Sequence, residues 1–277
     1  TDQVVVSVNT NPPAANAGAA FTKTCTQNVN GAQIGTAPVA ARSYLWSPTA
    51  GLSSSSISNP IANPLNTTTY TLTVTNTNNG CTATDQVVVT VNTTVPTANA
   101  GTDKTKCANS PAVQIGTAPV AGMSYIWSPT TGLSSGTIAN PTANPTTTTT
   151  YTVTVTNTTN GCTATDQVIV TVNPLPVSGI SAPGSVCATE GAFFQVNPPV
   201  AGATYSWTFD GGTPASSTAS SVTVSWPISM IGTTRNVVLT VTSSNGCNAV
   251  YNHAINITQN PTANAGPDKE VCEGGST

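Results

Sequence analysis

Charge is what this chain of 277 residues has least of. Six Lys and Arg, nine Asp and Glu and one histidine give a charged fraction of 5% and a formal net charge of −3, where soluble domains commonly carry about 25% charged residues. No basic face exists for nucleic acid or an anionic lipid surface, so neither is expected as a partner. No apolar run approaches the ~20 residues that span a bilayer as a helix. One histidine and the absence of any Cys-x-x-Cys pair leave nothing from which to build a zinc site. Neither an initiator Met nor a signal-peptide pattern is present, so Thr1 reads as a processed or cut end.

What is there is threonine, serine, asparagine and valine, a composition suited to strands and turns rather than helices. It is also repetitive. Cys25, Cys107, Cys187 and Cys272 close the related stretches PPAANAGAAFTKTC, PTANAGTDKTKC, PVSGISAPGSVC and PTANAGPDKEVC, at separations of 82, 80 and 85 residues. A tryptophan follows each of the first three, at Trp46, Trp127 and Trp207, in YLW, YIW and YSW. A second cysteine follows an Asn-Gly pair at Cys81, Cys162 and Cys247. Copies one and two share GTAPVA, GLSS, ANP and TTTYT almost verbatim, and copy three is more divergent.

Within each copy the pattern is that of strands. YTVTVTNTT (151–159) and DQVVVTVN (85–92) alternate apolar and polar residues, the signature of half-buried antiparallel strands. Asn79-Gly80, Asn160-Gly161 and Asn245-Gly246 lie between such runs, where both residues tolerate positive φ, and so predict hairpins. Short strands with turns every 8–12 residues indicate a β-sandwich, of about seven strands per copy. Trp46, Trp127 and Trp207, with Tyr44, Tyr125 and Tyr205, are the expected core anchors.

The hairpins fix the frame. Repeat 1 is 10–92, repeat 2 is 93–173 and repeat 3 is 174–259, joined at the Pro-containing links NTNPPAA, NTTVPTA and NPLPVSG. Residues 1–9, TDQVVVSVN, are then the last strand of a truncated preceding unit, and 260–277 the first segment of a truncated following one. No repeat lacks only the strand that residues 1–9 would supply, so a donor strand for a neighbouring chain is disfavoured. The chain reads as a window cut from a longer tandem array.

Seven cysteines in so polar a chain indicate an oxidising compartment. Pairing within repeats gives Cys25–Cys81, Cys107–Cys162 and Cys187–Cys247 and leaves Cys272 over. Pairing across joints gives Cys81–Cys107, Cys162–Cys187 and Cys247–Cys272 and leaves Cys25. Parity does not separate them. In a sandwich whose first strand runs beside its last, the within-repeat cysteines are expected to meet, so that scheme is preferred.

Chemistry is sparse. His253, in AVYNHAINI, has no counterpart in the other copies and reads as a packed or surface strand residue rather than a base, so no enzyme and no catalytic residue is expected. Asp2, Asp85 and Asp166 share one repeat position and read as turn or edge residues. Asp103 and Asp268 share another, near a joint, but Ala20 and Gly184 or Ser185 stand there in the other copies, a poor basis for interdomain calcium. No cofactor is expected. Lys–Asn crosslinks would need a lysine in each repeat, and repeat 3 has none. Threonine faces such as NPTTTTTYTVTVT read as solvated strand surface. The sequons at Asn66, Asn92, Asn157 and Asn256 are no more than chance provides in an Asn/Thr-rich chain.

At YSWTFDGGT (205–213) the sequence resembles the YxWxFGDG signature of polycystic-kidney-disease (PKD) domains, departing from it in that Asp210 precedes Gly211-Gly212. With WSPTAGLSS, WSPTTGLSS, ANAGPDK and NGCTATDQV, the whole chain is similar to the PKD-like/Ig-like repeats of very large cell-surface and secreted proteins of Bacteroidota, including gliding-motility-associated adhesins. The resemblance implies immunoglobulin-like antiparallel β-sandwiches in an extended tandem array at the cell surface. Their role would be an extracellular stalk or filament, with neighbouring repeats, surface glycans or other chains of a fibre as partners. The alternative it implies is a carbohydrate-binding module of an adhesin or of a polysaccharide-degrading enzyme.

Overall fold

A computed structural model describes residues 2–262 and Gly266. Strands dominate because apolar residues recur every second position, and among the described residues the one helical element is a single 3₁₀ turn, Ile228–Met230. Repeat 1 contains β1 (Phe21–Lys23), β2 (Ala32–Gln33), β3 (Arg42–Ser47), β4 (Ile61–Ala62), β5 (Thr68–Asn76) and β6 (Thr82–Val91). Repeat 2 matches it element for element with β7 (Lys104–Cys107), β8 (Val113–Gln114), β9 (Met123–Ser128), β10 (Thr142–Ala143), β11 (Thr149–Asn157) and β12 (Thr163–Asn173). Repeat 3 has eight: β13 (Ile180–Ser181), β14 (Ser185–Cys187), β15 (Ala192–Val196), β16 (Thr204–Phe209), β17 (Ser216–Ser217), β18 (Ser221–Val224), β19 (Thr234–Thr242) and β20 (Asn248–Thr258).

The large sheets run β1-β6-β5-β3, β7-β12-β11-β9 and β14-β20-β19-β16-β17. The smaller sheets are β2-β4, β8-β10 and β13-β15-β18. The expected seven strands are thus six, six and eight. In repeats 1 and 2 only AQ and VQ pair on the second face, since the Pro-, Gly- and Ser-rich stretches around them cannot sustain a ladder. Repeat 3 has AFFQV there, buried at every second residue, and builds a real sheet from it.

By contacts the chain divides into two compact units that do not follow the repeats. One comprises Thr1–Lys104, Ala112–Pro145 and Thr149–Val170, the other Thr105–Pro111, Thr146–Thr148 and Thr171–Thr277. The first holds two cores, built on Trp46 with Tyr70, Leu72 and Val89, and on Trp127 with Tyr151, Val153 and Val170. The second holds a larger one around Phe194, Trp207, Phe209 and Trp226. The Asn-Gly turns do join β5 to β6, β11 to β12 and β19 to β20, with Gly80, Gly161 and Gly246 at φ of 72°, 71° and 78°.

One strand expectation changes, and another falls almost wholly outside the described residues. Residues 2–9 carry no regular structure and are exposed, because among the described residues no strand offers them a ladder, and an unpaired edge gains nothing from being extended. Of 260–277, all but 260–262 and Gly266 lie outside the described residues, Asp268 and Cys272 among them.

The direction of the first strand matters most. β1 runs parallel to β6, Phe21 opposite Val89 and Lys23 opposite Val91, and β14 runs parallel to β20, Cys187 opposite Thr258. A first strand parallel to the last places the cysteine that ends it beside the end of the last strand. Cys81 and Cys247 stand at the beginning of that last strand, about 30 Å away at roughly 3.3 Å per residue. The within-repeat pairs Cys25–Cys81, Cys107–Cys162 and Cys187–Cys247 therefore do not form.

Candidate functional site

The first-strand cysteines of repeats 1 and 2 instead meet the turn cysteine of the following repeat. Cys25 is bonded to Cys162, 137 residues on, with Cα atoms 5.0 Å apart. Cys107 is bonded to Cys247, 140 residues on, at 5.5 Å. The across-joint alternative, Cys81–Cys107 with Cys162–Cys187, is not formed either, since Cys81 and Cys187 are free thiols. Four of the six expected disulfide cysteines are thus bridged, in a register in which each bridge passes over two intervening cysteines.

The polar chemistry around the first bridge explains its register. The Cys25 amide donates to the Asn160 carbonyl at 3.2 Å. The Asn160 side chain, 1% exposed, donates through Nδ2 to Asn92 Oδ1 and to the Thr94 carbonyl, both at 3.0 Å. Its Oδ1 accepts from the Cys162 amide at 2.9 Å. One buried asparagine thus ties the link between repeats to the turn that bears the cysteine, and every polar atom is satisfied. Gly161 is required as well: a Cβ there would lie 2.5 Å from Thr26 Cγ2, whereas Gly80 and Gly246 face open space. At the second bridge, Cys247 is fully buried and the Ala108 amide donates to the Asn173 carbonyl at 3.0 Å, holding Cys107 at the end of β12.

The aromatic anchors sit where cores need them. Trp46, Trp127 and Trp207 are at most 1% exposed, and each indole N–H donates to a carbonyl at 2.9 Å: Ile57, Ile138 and Ala219. Tyr44, Tyr125 and Tyr205 are half-buried, and their hydroxyls accept from the Val39, Val120 and Val200 amides. Tyr151, on the apolar face of its strand, and Tyr70, Phe194 and Trp226, which are not among the expected anchors, are all more deeply buried than those three tyrosines. Burial raises the Tyr70 hydroxyl above its usual value near 10. It does the same for Tyr151, against a smaller lowering by the hydrogen bond with Thr149.

The shared aspartate is no idle edge residue. Asp85 Oδ2 accepts from the Ala17 amide and Asp166 Oδ2 from the Ala100 amide, each at 2.8 Å, clamping the ANAG stretch to the last strand. A signal existed: ANAG and Asp-Gln occur together in copies one and two and are both replaced in copy three. There the Tyr251 hydroxyl donates to the Pro176 carbonyl and accepts from the Ser178 amide. Asp103 is likewise occupied, its Oδ1 accepting from the Ile169 amide at 2.8 Å. His253 Nε2 lies 2.9 Å from the Pro183 carbonyl, and its ring stands edge-on to Phe194. Among the described residues no three His, Cys, Asp or Glu side chains gather as metal ligands, and no helix is long and apolar enough to cross a membrane.

The chain is all-β, a tandem of immunoglobulin-like sandwiches. Residues 173–257 match the family model of the PKD-like domain. That match covers repeat 3, the copy carrying YSWTFDGGT. Among solved structures the chain is similar to the I67–I69 fragment of the titin I-band, at 10% identity over 91% of this chain and 99% of that one, with a TM-score of 0.45. It is also similar to extracellular cadherin domains 3–6 of protocadherin gamma B2, at 10% identity over 89% and 73% with a TM-score of 0.36. Drosophila OTK extracellular domains 3–5 are similar at 9% identity over 92% and 100%, with a TM-score of 0.31. No sequence among the curated proteins matches the chain.

Proposed function

We propose that the chain is a load-bearing spacer in a large extracellular protein of the adhesin type, a stalk segment that holds a functional end away from the cell surface. The observation that carries this is the pair of bridges joining successive repeats, Cys25–Cys162 and Cys107–Cys247. Bridges of this kind persist in oxidising compartments, and the sparse charge leaves little material for ion pairs at the joints. The PKD-like match of repeat 3 supports the repeat class, and the sequence resemblance alone points to an origin among Bacteroidota surface proteins and a part in gliding motility.

The mechanism is mechanical. With both bridges closed, tension passes from Cys25 to Cys162, back along the chain to Cys107 and across to Cys247, so the covalent path bypasses most of repeats 1 and 3. Fully stretched, the reduced chain reaches about 900 Å and the bridged chain about 400 Å, at roughly 3.4 Å per residue. A carbohydrate-binding groove would present exposed aromatic rings. Of the fourteen aromatic side chains only Phe193 is exposed, at 53%, which favours the spacer. Single-molecule stretching with and without reductant tests the reading. The expected result is a contour length that more than doubles on reduction. Equal lengths, or saturable binding of a glycan by the unreduced chain, would count against it.

A further inference from the structure

The two free thiols among the described residues occupy the same positions as the bonded ones. Cys81 stands where Cys162 and Cys247 stand, after an Asn-Gly turn, and Cys187 stands where Cys25 and Cys107 stand, at the end of a first strand. The surroundings of Cys81 are already those of a finished joint. Asn79 Nδ2 donates to Asn9 Oδ1 at 3.3 Å and to the Asn11 carbonyl at 3.2 Å. Asn160 makes the same two bonds to the corresponding residues Asn92 and Thr94. Asn79 Oδ1 accepts from the Cys81 amide at 3.0 Å, as Asn160 Oδ1 does from Cys162. The thiol of Cys81 points at the Asn9 carbonyl, 3.9 Å away. Beside it runs a surface that wants covering. Val4 and Val6 are 86% and 77% exposed, while their equivalents Val87, Val89, Val168 and Val170 are at most 2% exposed.

We propose that Cys81 and Cys187 are the open halves of two more bridges in the same register. The occupant on the Cys81 side is a further repeat of this class, which takes residues 2–9 as its last strand and offers its own first-strand cysteine. At Cys187 it is a repeat offering an Asn-Gly-Cys turn. This inference concerns which cysteines join and stands whether or not the spacer reading holds. Each bridge forms by exchange with a small-molecule disulfide of the glutathione type. The Cys81 thiolate attacks it, giving a mixed disulfide and one released thiolate. The partner cysteine's thiolate then attacks the Cys81 sulfur, forming the bridge and releasing the second thiolate. Two cysteines lose two electrons and two protons, and the oxidant gains them as two thiols.

The register has a consequence for the whole array. Cys162 and Cys187 are 25 residues apart, and Cys81 and Cys107 are 26 apart. With every bridge closed, two interleaved covalent tracks run through the repeats. Each crosses two repeats on about 25 residues of chain, a path no longer than about 90 Å when taut. Unfolding a repeat can then lengthen the array no further than that path allows.

The test joins one more repeat to the complete chain. A copy of residues 93–164 is placed ahead of Thr1, so that residues 1–9 continue it as its last strand. After oxidation with glutathione disulfide, non-reducing peptide mapping is expected to show Cys81 joined to the added copy of Cys107. Amides of Val4 and Val6 should gain protection from exchange, and the added copy of Cys162 should stay alkylatable. Cys81 joined to the added copy of Cys162, or left alkylatable beside a folded added repeat, overturns the proposal. Cys25→Ser in the unextended chain tests the register without an added domain. Cys162 should become alkylatable alongside Cys81 and Cys187 while Cys107–Cys247 persists, and the appearance of Cys107–Cys162 or Cys25–Cys81-type pairing within repeats in either chain refutes it.

Discussion

Repeats 1 and 2 are near copies, and repeat 3 reaches the same architecture with different material. The first two each build nine buried apolar residues around a single tryptophan and a single tyrosine. Repeat 3 uses thirteen and packs Phe194 against Trp207, Phe209 and Trp226 at centroid distances of 6.3, 5.5 and 6.1 Å. An aspartate clamps the leading segment in one case and a tyrosine hydroxyl in the other. The turn cysteine is buried and bridged in repeats 2 and 3 alike, at Cys162 and Cys247. An interior can be rebuilt from any residues that fill the volume. A bridge has only one geometry that closes, and so the joint stays while the core drifts.

The largest effect that would break this comparison is in the cores. Trp46→Ala removes the only tryptophan of repeat 1 and should cost about 3–5 kcal/mol. Trp207→Ala in repeat 3, where Phe194, Phe209 and Trp226 remain around the hole, should cost less if those rings relax into it. Calorimetry of the two variants is expected to lower the melting of repeat 1 more, and equal losses would show that the richer core does not collapse. The clamps come next. Asp85→Ala strips a charged acceptor from the Ala17 amide and should cost about 1.5–3 kcal/mol, and Tyr251→Phe about 0.5–1.5 kcal/mol for a neutral partner. Urea unfolding of the two variants ranks them, and the reverse order would mean that the aspartate is no clamp.

The smallest effect is in base. Tyr70 and Tyr151 are held above their ordinary value by burial, so the unfolded chain loses its phenolic protons first. Their neutral form therefore contributes stability that is fully present below about pH 10 and fades as pH rises through the raised native values. Repeats 1 and 2 should soften above pH 10. Tyr70→Phe combined with Tyr151→Phe should flatten that limb of a stability–pH curve, while the response of repeat 3 is unchanged. A curve identical with and without the tyrosines would remove burial as its cause.

Much of this was legible in the chain itself. Alternation in TTYTLTVTN and TTYTVTVTN becomes β5 and β11, with Tyr70, Leu72, Val74, Tyr151, Val153 and Val155 inside. The Asn-Gly pairs become hairpin turns because their backbone twist suits the strands they join. These are nearest-neighbour properties, and they need no knowledge of the rest of the molecule. Residues 2–9 show the limit: their sequence is nearly that of β6, yet they are exposed and irregular, since a strand exists only where another offers it hydrogen bonds.

The cysteines show it more sharply. Sequence determined how many there are, their spacing, and that each repeat carries one after its leading segment and one after its turn. Whether β1 lies parallel or antiparallel to β6 leaves no mark on either strand, because alternation reads the same in both directions. Only the assembled sheet decided it, and the direction sends the sulfur of Cys25 to the far end of its own repeat, where the next repeat's Cys162 waits.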